Sequence, residues 1–66
     1  MQVPSYDIFK KESDTTLWIE AVADLVAAKA RITDLAELSG REHFVFDQRT
    51  SEIVAVANSE QGRSKE

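Results

Sequence analysis

The residues of this chain that could do chemistry are few, and the most suggestive set contains its single histidine. Ser39, His43 and Asp47 recur at intervals of four, and a serine, an imidazole and a carboxylate are the groups of a nucleophilic hydrolase. Such residues occur together by chance in most chains, and no Gly-x-Ser-x-Gly turn surrounds a serine here. We therefore predict no catalytic residues, a protein that is not an enzyme, and a half-exposed strand position for His43.

Ligands for a metal ion or a cofactor are also scarce. The chain has no cysteine and one histidine, which excludes a disulfide, a thiolate site and a site with two imidazole ligands. Glu42 and Glu52 are expected to approach each other across a hairpin, but no loop has the alternating acidic spacing of an EF-hand. Gly40 and Gly62, the two glycines, form no phosphate-binding loop. We predict no metal site, no bound cofactor and no small-molecule substrate.

Length and charge restrict the remaining functions. The 66 residues suffice for one domain, with 42% hydrophobic residues, 30% charged residues and a net charge of −4. An acidic chain is not generally attracted to nucleic acid or to anionic membranes. Neither a signal-peptide pattern after Met1 nor an apolar run of roughly 18 residues is visible. We predict a cytoplasmic protein that does not contact the membrane.

The elements that must position any site follow from hydrophobic spacing. Aromatic and β-branched runs predict strands, helical spacing from Leu25 onward predicts a helix, and Asp24 and Gly40 are typical of its two ends. The order is β-β-α-β-β, an α+β fold with a four-stranded antiparallel or mixed sheet and one helix on one face. The predicted strands cover 6–11, 16–21, 43–47 and 52–57, and the predicted helix covers 25–38 and is closed by Ser39 and Gly40. Residues 1–58 form the predicted domain and 59–66 a disordered tail.

Large apolar side chains point to both faces of this sheet, while one helix can cover only one. We expect the helix to cover the face formed by Ile8, Leu17, Ile19, Phe44, Phe46 and one set from the fourth strand. The opposite face then carries Phe9, Trp18 and Val45 as the predicted interaction residues. Such a face favours a homodimer, through the face or through an edge strand, that supplies the core a short chain lacks. The alternative is that Phe9 and Trp18 merely pair across strands.

Two other functions stay open. Aromatic residues near Lys10, Lys11, Arg41 and Arg49 are compatible with weak binding of single-stranded nucleic acid, although no basic patch accompanies them. The other is a regulatory partner of a different protein.

Several segments carry a resemblance to known proteins. They are Tyr6-Asp7-Ile8-Phe9-Lys10, Leu17-Trp18-Ile19-Glu20-Ala21, Asp24-Leu25 with Ala28-Lys29, and Phe44-Val45-Phe46-Asp47-Gln48-Arg49-Thr50. Together they resemble a group of short bacterial hypothetical proteins over about residues 6 to 56. This resemblance implies the fold and a bacterial origin, and no activity. The strand–strand–helix portion is more distantly similar to HicB-type antitoxins, whose sheet occludes a small toxic RNase. This similarity implies that the protein is a regulatory partner of another protein.

Overall fold

The computed structural model describes residues 4–58 and shows the predicted order of elements. The elements are β1 (Tyr6–Lys11), β2 (Thr16–Val22), α1 (Leu25–Ser39), β3 (His43–Asp47) and β4 (Glu52–Ala57). The α+β fold is therefore confirmed. The predicted disordered tail over 59–66 lies outside the described residues. Within residues 4–58, no helix is both long enough and apolar enough to cross a membrane.

Local hydrogen bonds define both ends of the helix α1. Asp24 has an extended backbone, and its carboxylate oxygen Oδ2 accepts from the backbone N–H of Ala27 at 2.9 Å. At the other end Gly40 adopts a left-handed φ of 72°, and its N–H donates to the carbonyl oxygen of Ala36 at 2.8 Å. The predicted N-cap and the predicted terminating glycine are both confirmed.

The sheet has the strand order β2-β1-β3-β4, and every neighbouring pair is antiparallel. The strands β1 and β3 are therefore central, while β2 and β4 form the edges. The helix packs mainly against β3 and β4. Leu17, in the edge strand β2, consequently stays about half exposed, although we expected the helix to cover it.

A bulge in β2 changes which of its residues face the helix. Ile8 pairs with Glu20 and the next residue, Phe9, pairs with Trp18, so Ile19 is an extra residue between them. A bulge breaks the strict alternation of side chains. As a result Ile19 packs against the core beneath the helix. Trp18 shares the opposite face with Phe9, because directly paired residues point to the same side.

A second bulge has the same effect in β4. Val54 is an extra residue opposite the step from Val45 to Phe46 in β3, and it packs against the core. Strict alternation would put Ile53 and Val56 on opposite faces of the sheet. With the extra residue between them, both lie on the face turned away from the helix.

The core between helix and sheet is built on four fully buried residues: Ile8, Ala28, Ile32 and Val45. Val45 is 0% exposed, which corrects the expectation that it lies on the open side of the sheet. It pairs with Ile8, and the helix covers both residues.

The same correction applies to the two phenylalanines of β3. Phe44 and Phe46 flank Val45 in a regular strand, so they must point away from the helix, and the expectation that the helix covers them is wrong. Ala28 and Ala36 are both buried on the helix face. Such small side chains bring the helix close to the sheet and leave room for valine and isoleucine rather than phenyl rings.

Candidate interaction surface

The residues that suggested a hydrolase do not come together. His43 and Asp47 lie at the two ends of β3, about 13 Å apart along the strand. The hydroxyl oxygen of Ser39 accepts from the backbone N–H of Arg41 at 3.1 Å. The carboxylate of Asp47 accepts from the backbone N–H of Arg49 at 2.9 Å, which is a local turn bond. Each group has a structural role in its own segment.

His43 is buried, and the expectation of a half-exposed position is wrong. The residue is 1% exposed, because it lies two positions before Val45 and therefore on the helix side of β3. Its ring nitrogen Nδ1 lies 3.0 Å from the carbonyl oxygen of Arg41, to which it donates. The imidazole thus serves the packing and hydrogen bonding at one end of the strand.

Glu42 and Glu52 lie at opposite ends of the second hairpin, so the expectation that they approach each other is wrong. Glu52 pairs with Asp47, whereas Glu42 precedes His43, which pairs with Ala57. Antiparallel pairing places the start of one strand beside the end of the other. Among residues 4–58, no three potential ligands from histidine, cysteine, aspartate and glutamate cluster as a metal ion would require.

The feature that distinguishes this molecule is the sheet face turned away from the helix, here called the open face. Six large apolar residues form it: Phe9, Trp18, Phe44, Phe46, Ile53 and Val56. Trp18 is 58% exposed and Val56 is 48% exposed. Single exposed apolar residues are ordinary, but a contiguous set on one face is typical of a contact surface.

One row of residues crosses the open face through all four strands. Trp18 pairs with Phe9, Phe9 with Phe44, and Phe44 with Val56, so these four, here called the aromatic row, run perpendicular to the strands. The rings of Phe9 and Phe44 stack with centroids 5.3 Å apart and planes inclined by 19°. Phe46 meets Phe9 edge to face at 6.4 Å. The three rings therefore form one cluster at the centre of the face.

The open face has a wide, shallow depression. This depression of about 690 Å³ lies over the phenylalanine cluster, and its lining comprises Phe9, Thr16, Phe44, Phe46, Ser51, Glu52 and Ile53. Four of these residues are large and apolar, and the polar ones lie toward the ends of the strands. A shape of this kind admits side chains of another molecule into the centre of the face.

Two opposite charges flank the centre of the open face on β1. Asp7 lies two residues before Phe9 and Lys11 two residues after it, so all three point to the same side. The carboxylate of Asp7 accepts from the indole Nε1 of Trp18 at 3.2 Å. It also accepts from the amide Nε2 of Gln48, which lies 3.0 Å from each oxygen. These donors are uncharged, so they orient the carboxylate without neutralising it.

The structure thus separates the three predicted interaction residues. Phe9 and Trp18 lie on the open face. Val45 lies in the core, so its prediction as an interaction residue is wrong. The predicted set lacked four open-face residues: Ile53 and Val56 of β4, and Phe44 and Phe46, which were assigned to the helix side. Strand alternation in the sequence does place Phe44 and Phe46 on the side opposite Val45. It does not tell which of the two sides the helix covers, because the residues of β3 alone do not determine this.

Comparisons of the chain with models of protein families, with curated proteins and with solved structures gave no match. The resemblances to short bacterial proteins and to HicB-type antitoxins therefore remain predictions. The class of protein is defined by geometry: a small α+β domain with one covered and one bare sheet face.

Proposed function

We propose that the protein is a non-enzymatic, cytoplasmic module that forms a homodimer through the open face. The observation that carries this proposal is the contiguous set of apolar side chains on the face that α1 leaves uncovered. Removing apolar surface from water is favourable by about 25 cal/mol per Å². A second copy offers the same surface, and symmetric self-contact is the commonest assembly of proteins.

The size of the domain favours such an assembly. A chain of about 60 residues buries only about 60% of the surface that its unfolded form exposes, so its stability is small. Among the described residues the fully buried apolar cluster contains four side chains, two of them from β1 and β3. Packing two sheets face to face would add a second apolar layer on the other side of the same strands.

The available area predicts a dimer of modest affinity. Four strands about 4.8 Å apart, each rising about 3.3 Å per residue over five to seven residues, cover a plane of roughly 400 Å². Two copies together would bury about twice this area, and somewhat more because the aromatic rings project from the plane of the sheet. Stable interfaces bury about 1,200–2,000 Å². The expected interface, roughly 800 Å² or somewhat more, lies below that range, so the dimer should be weak and the equilibrium should depend visibly on concentration.

The charge of the face favours a protein over nucleic acid as its partner. On this face β1 contributes one cation, Lys11, and one anion, Asp7, and the whole chain has a net charge of −4. Affinity for nucleic acid comes mainly from cations that neutralise phosphates. The aromatic row therefore lacks the surroundings that would bring a polynucleotide to it.

Sedimentation velocity over an about hundredfold range of protein concentration tests the proposal. We expect a concentration-dependent dimer for the unmodified chain and a monomer for Phe9→Glu and for Trp18→Glu, because each places a carboxylate in an apolar contact. Val26→Glu is the matched control: Val26 is 75% exposed on the helix, away from the open face, and its variant should dimerise normally. Far-UV circular dichroism verifies that all variants are folded.

Two results would overturn the homodimer. One is an unmodified chain that remains monomeric at the highest concentration. The other is undiminished dimerisation of both open-face variants. If the chain is a monomer, we expect the open face to bind a different protein. That is the function that the resemblance to HicB-type antitoxins implies.

A further inference from the structure

We propose that the two copies pack with their β1 strands antiparallel, so that Asp7 of each copy pairs with the partner's Lys11. This inference rests on the proposed homodimer and specifies its symmetry and the residues that select it. It makes Asp7 and Lys11 the specificity determinants of the contact, on either side of Phe9. The apolar side chains supply the attraction, and the two charges determine the orientation.

The spacing on β1 supports this arrangement. Asp7 and Lys11 each lie two residues from Phe9, which is about 6.6 Å along the strand in either direction. A two-fold axis that crosses β1 at Phe9, perpendicular to the strand, exchanges these two positions. It therefore brings each carboxylate opposite an ammonium group, twice in one dimer.

The aromatic row coincides with that axis. Its residues are direct neighbours across the four strands, so the row runs perpendicular to β1 through Phe9. Each member, from Trp18 at one edge to Val56 at the other, would meet its own counterpart in the second copy. The most apolar line of the face thus lies at the centre of the contact, with the charged pairs outside it, as in interfaces with an apolar core and a polar rim.

Other two-fold arrangements place the charges badly. An axis running along β1 itself sets Asp7 against the partner's Asp7. An axis parallel to the strands but between β1 and β3 sets Asp7 against the partner's Phe46, because Phe46 is its cross-strand neighbour. Like charges repel, and a carboxylate pressed onto an aromatic ring without a cation loses its hydration uncompensated. Of these three arrangements, only the antiparallel one gives Asp7 an opposite charge.

Asp7 is prepared for such a contact. The hydrogen bonds from Trp18 and Gln48 hold its carboxylate in place, and a carboxylate has about four acceptor positions, so room for a further donor remains. Within residues 4–58, ion pairs join Lys10 to Glu12, Arg31 to Glu20 and Arg49 to Asp47, and none includes Asp7 or Lys11. Asp7 and Lys11 are therefore available to a second copy.

Charge reversal tests the orientation. Asp7→Lys gives a face with two cations on β1, and Lys11→Asp gives a face with two anions, so each variant alone should dimerise at least about tenfold more weakly than the unmodified chain. An equimolar mixture of the two should form heterodimers within about threefold of the original affinity, because every contact again joins opposite charges. The chain that carries both substitutions should likewise recover self-association.

Two controls separate orientation from general effects. Asp34→Lys makes the same change of net charge on the exposed side of the helix and should leave dimerisation unchanged. Asp7→Asn retains an oxygen acceptor for Trp18 and Gln48 while it removes the charge, and it should weaken the dimer less than Asp7→Lys does. Sedimentation velocity gives the affinities, and circular dichroism verifies folding.

The outcomes distinguish this inference from the proposed function. An unmodified chain that dimerises, combined with a mixture of the two variants that stays monomeric, would overturn the antiparallel pairing and leave the homodimer standing. An unmodified chain that stays monomeric would overturn both the antiparallel pairing and the homodimer. Heterodimers in the mixture, with two weakened single variants, would support the pairing directly.

Discussion

The ring of Phe9 stacks on the ring of Phe44 across the two central strands, with centroids 5.3 Å apart, on the face that the helix leaves bare. Aromatic pairs of this kind contribute about 0.5–1.5 kcal/mol beyond the area that they bury. The contact orders both rings within one copy while their outer surfaces stay available. A partner would therefore meet a face whose central side chains are already arranged, which lowers the entropic cost of association.

The two faces of the sheet should respond differently to one substitution. Val45→Ala removes two methyl groups from a fully buried position and should lower the free energy of unfolding by about 2 kcal/mol, from lost burial and the cavity left behind. Val56→Ala makes the same chemical change on the open face, where the cost should stay within about 0.5 kcal/mol. Urea denaturation of dilute protein, followed by circular dichroism, measures both.

The comparison of Val45 with Val56 is matched in chemistry because the same two methyl groups are removed from a valine in a strand, although β3 is central and β4 is an edge strand. The difference between the two variants then reports burial by the helix. Equal losses of stability would contradict the assignment of Val45 to the core and Val56 to the open face.

The cap at Asp24 should contribute measurably to stability. Asp24→Ala leaves the N–H of Ala27 without its carboxylate acceptor and should cost about 1 kcal/mol. Asp34→Ala is the control, since this exposed aspartate lies within the helix and not at its end. Thermal unfolding followed by circular dichroism should show a lower Tm for the first variant alone. A similar decrease for both would mean that the cap is unimportant.

The ion pair between Lys10 and Glu12 predicts a change in titration. The Lys10 ammonium, 3.0 Å from the Glu12 carboxylate, hydrogen-bonds to it and lowers the pKa of Glu12 below its usual 4.5. Lys10→Met should therefore raise the pKa of Glu12 toward that value. An NMR pH titration of the Glu12 carboxyl carbon measures the shift. Lys29→Met, a substitution on the helix, should leave the pKa unchanged.

The lowered pKa of Glu12 also determines the sign of its effect on stability. Because the carboxyl is more acidic in the folded than in the unfolded protein, its contribution is present above the unfolded pKa and is lost as the pH falls through the folded pKa. Lys10→Met should remove this dependence, so the stabilities of the two proteins should converge in acid. Stability curves that stay parallel below pH 4.5 would argue against the pair.

Features that depend on nearby residues could be predicted from the sequence. The cap at Asp24 and the stop at Gly40 involve hydrogen bonds spanning three or four residues, and both are confirmed. The turn bond from Asp47 to the backbone of Arg49 is equally local. Strand positions followed from β-branched and aromatic runs, which is why the order of elements and the α+β class are correct.

Features that depend on residues distant in the chain could not be predicted from the sequence. The bulges at Ile19 and Val54 arise where two strands pair out of step, and no glycine or proline at either position marks them in the sequence. The burial of His43, which we expected to be half exposed, follows from its position on the helix side of β3.

The sequence by itself determined that this chain builds one helix and four strands, and that Phe44 and Phe46 must lie opposite Val45. Only the tertiary structure decided which of those sides the helix covers. The physical reason is that alternation within β3 only separates Val45 from the two phenylalanines, and both sets are apolar, so it is the same for either choice. The helix packs Ile32 and Ala28 against Val45, and the phenylalanines on the other side of β3 are left bare.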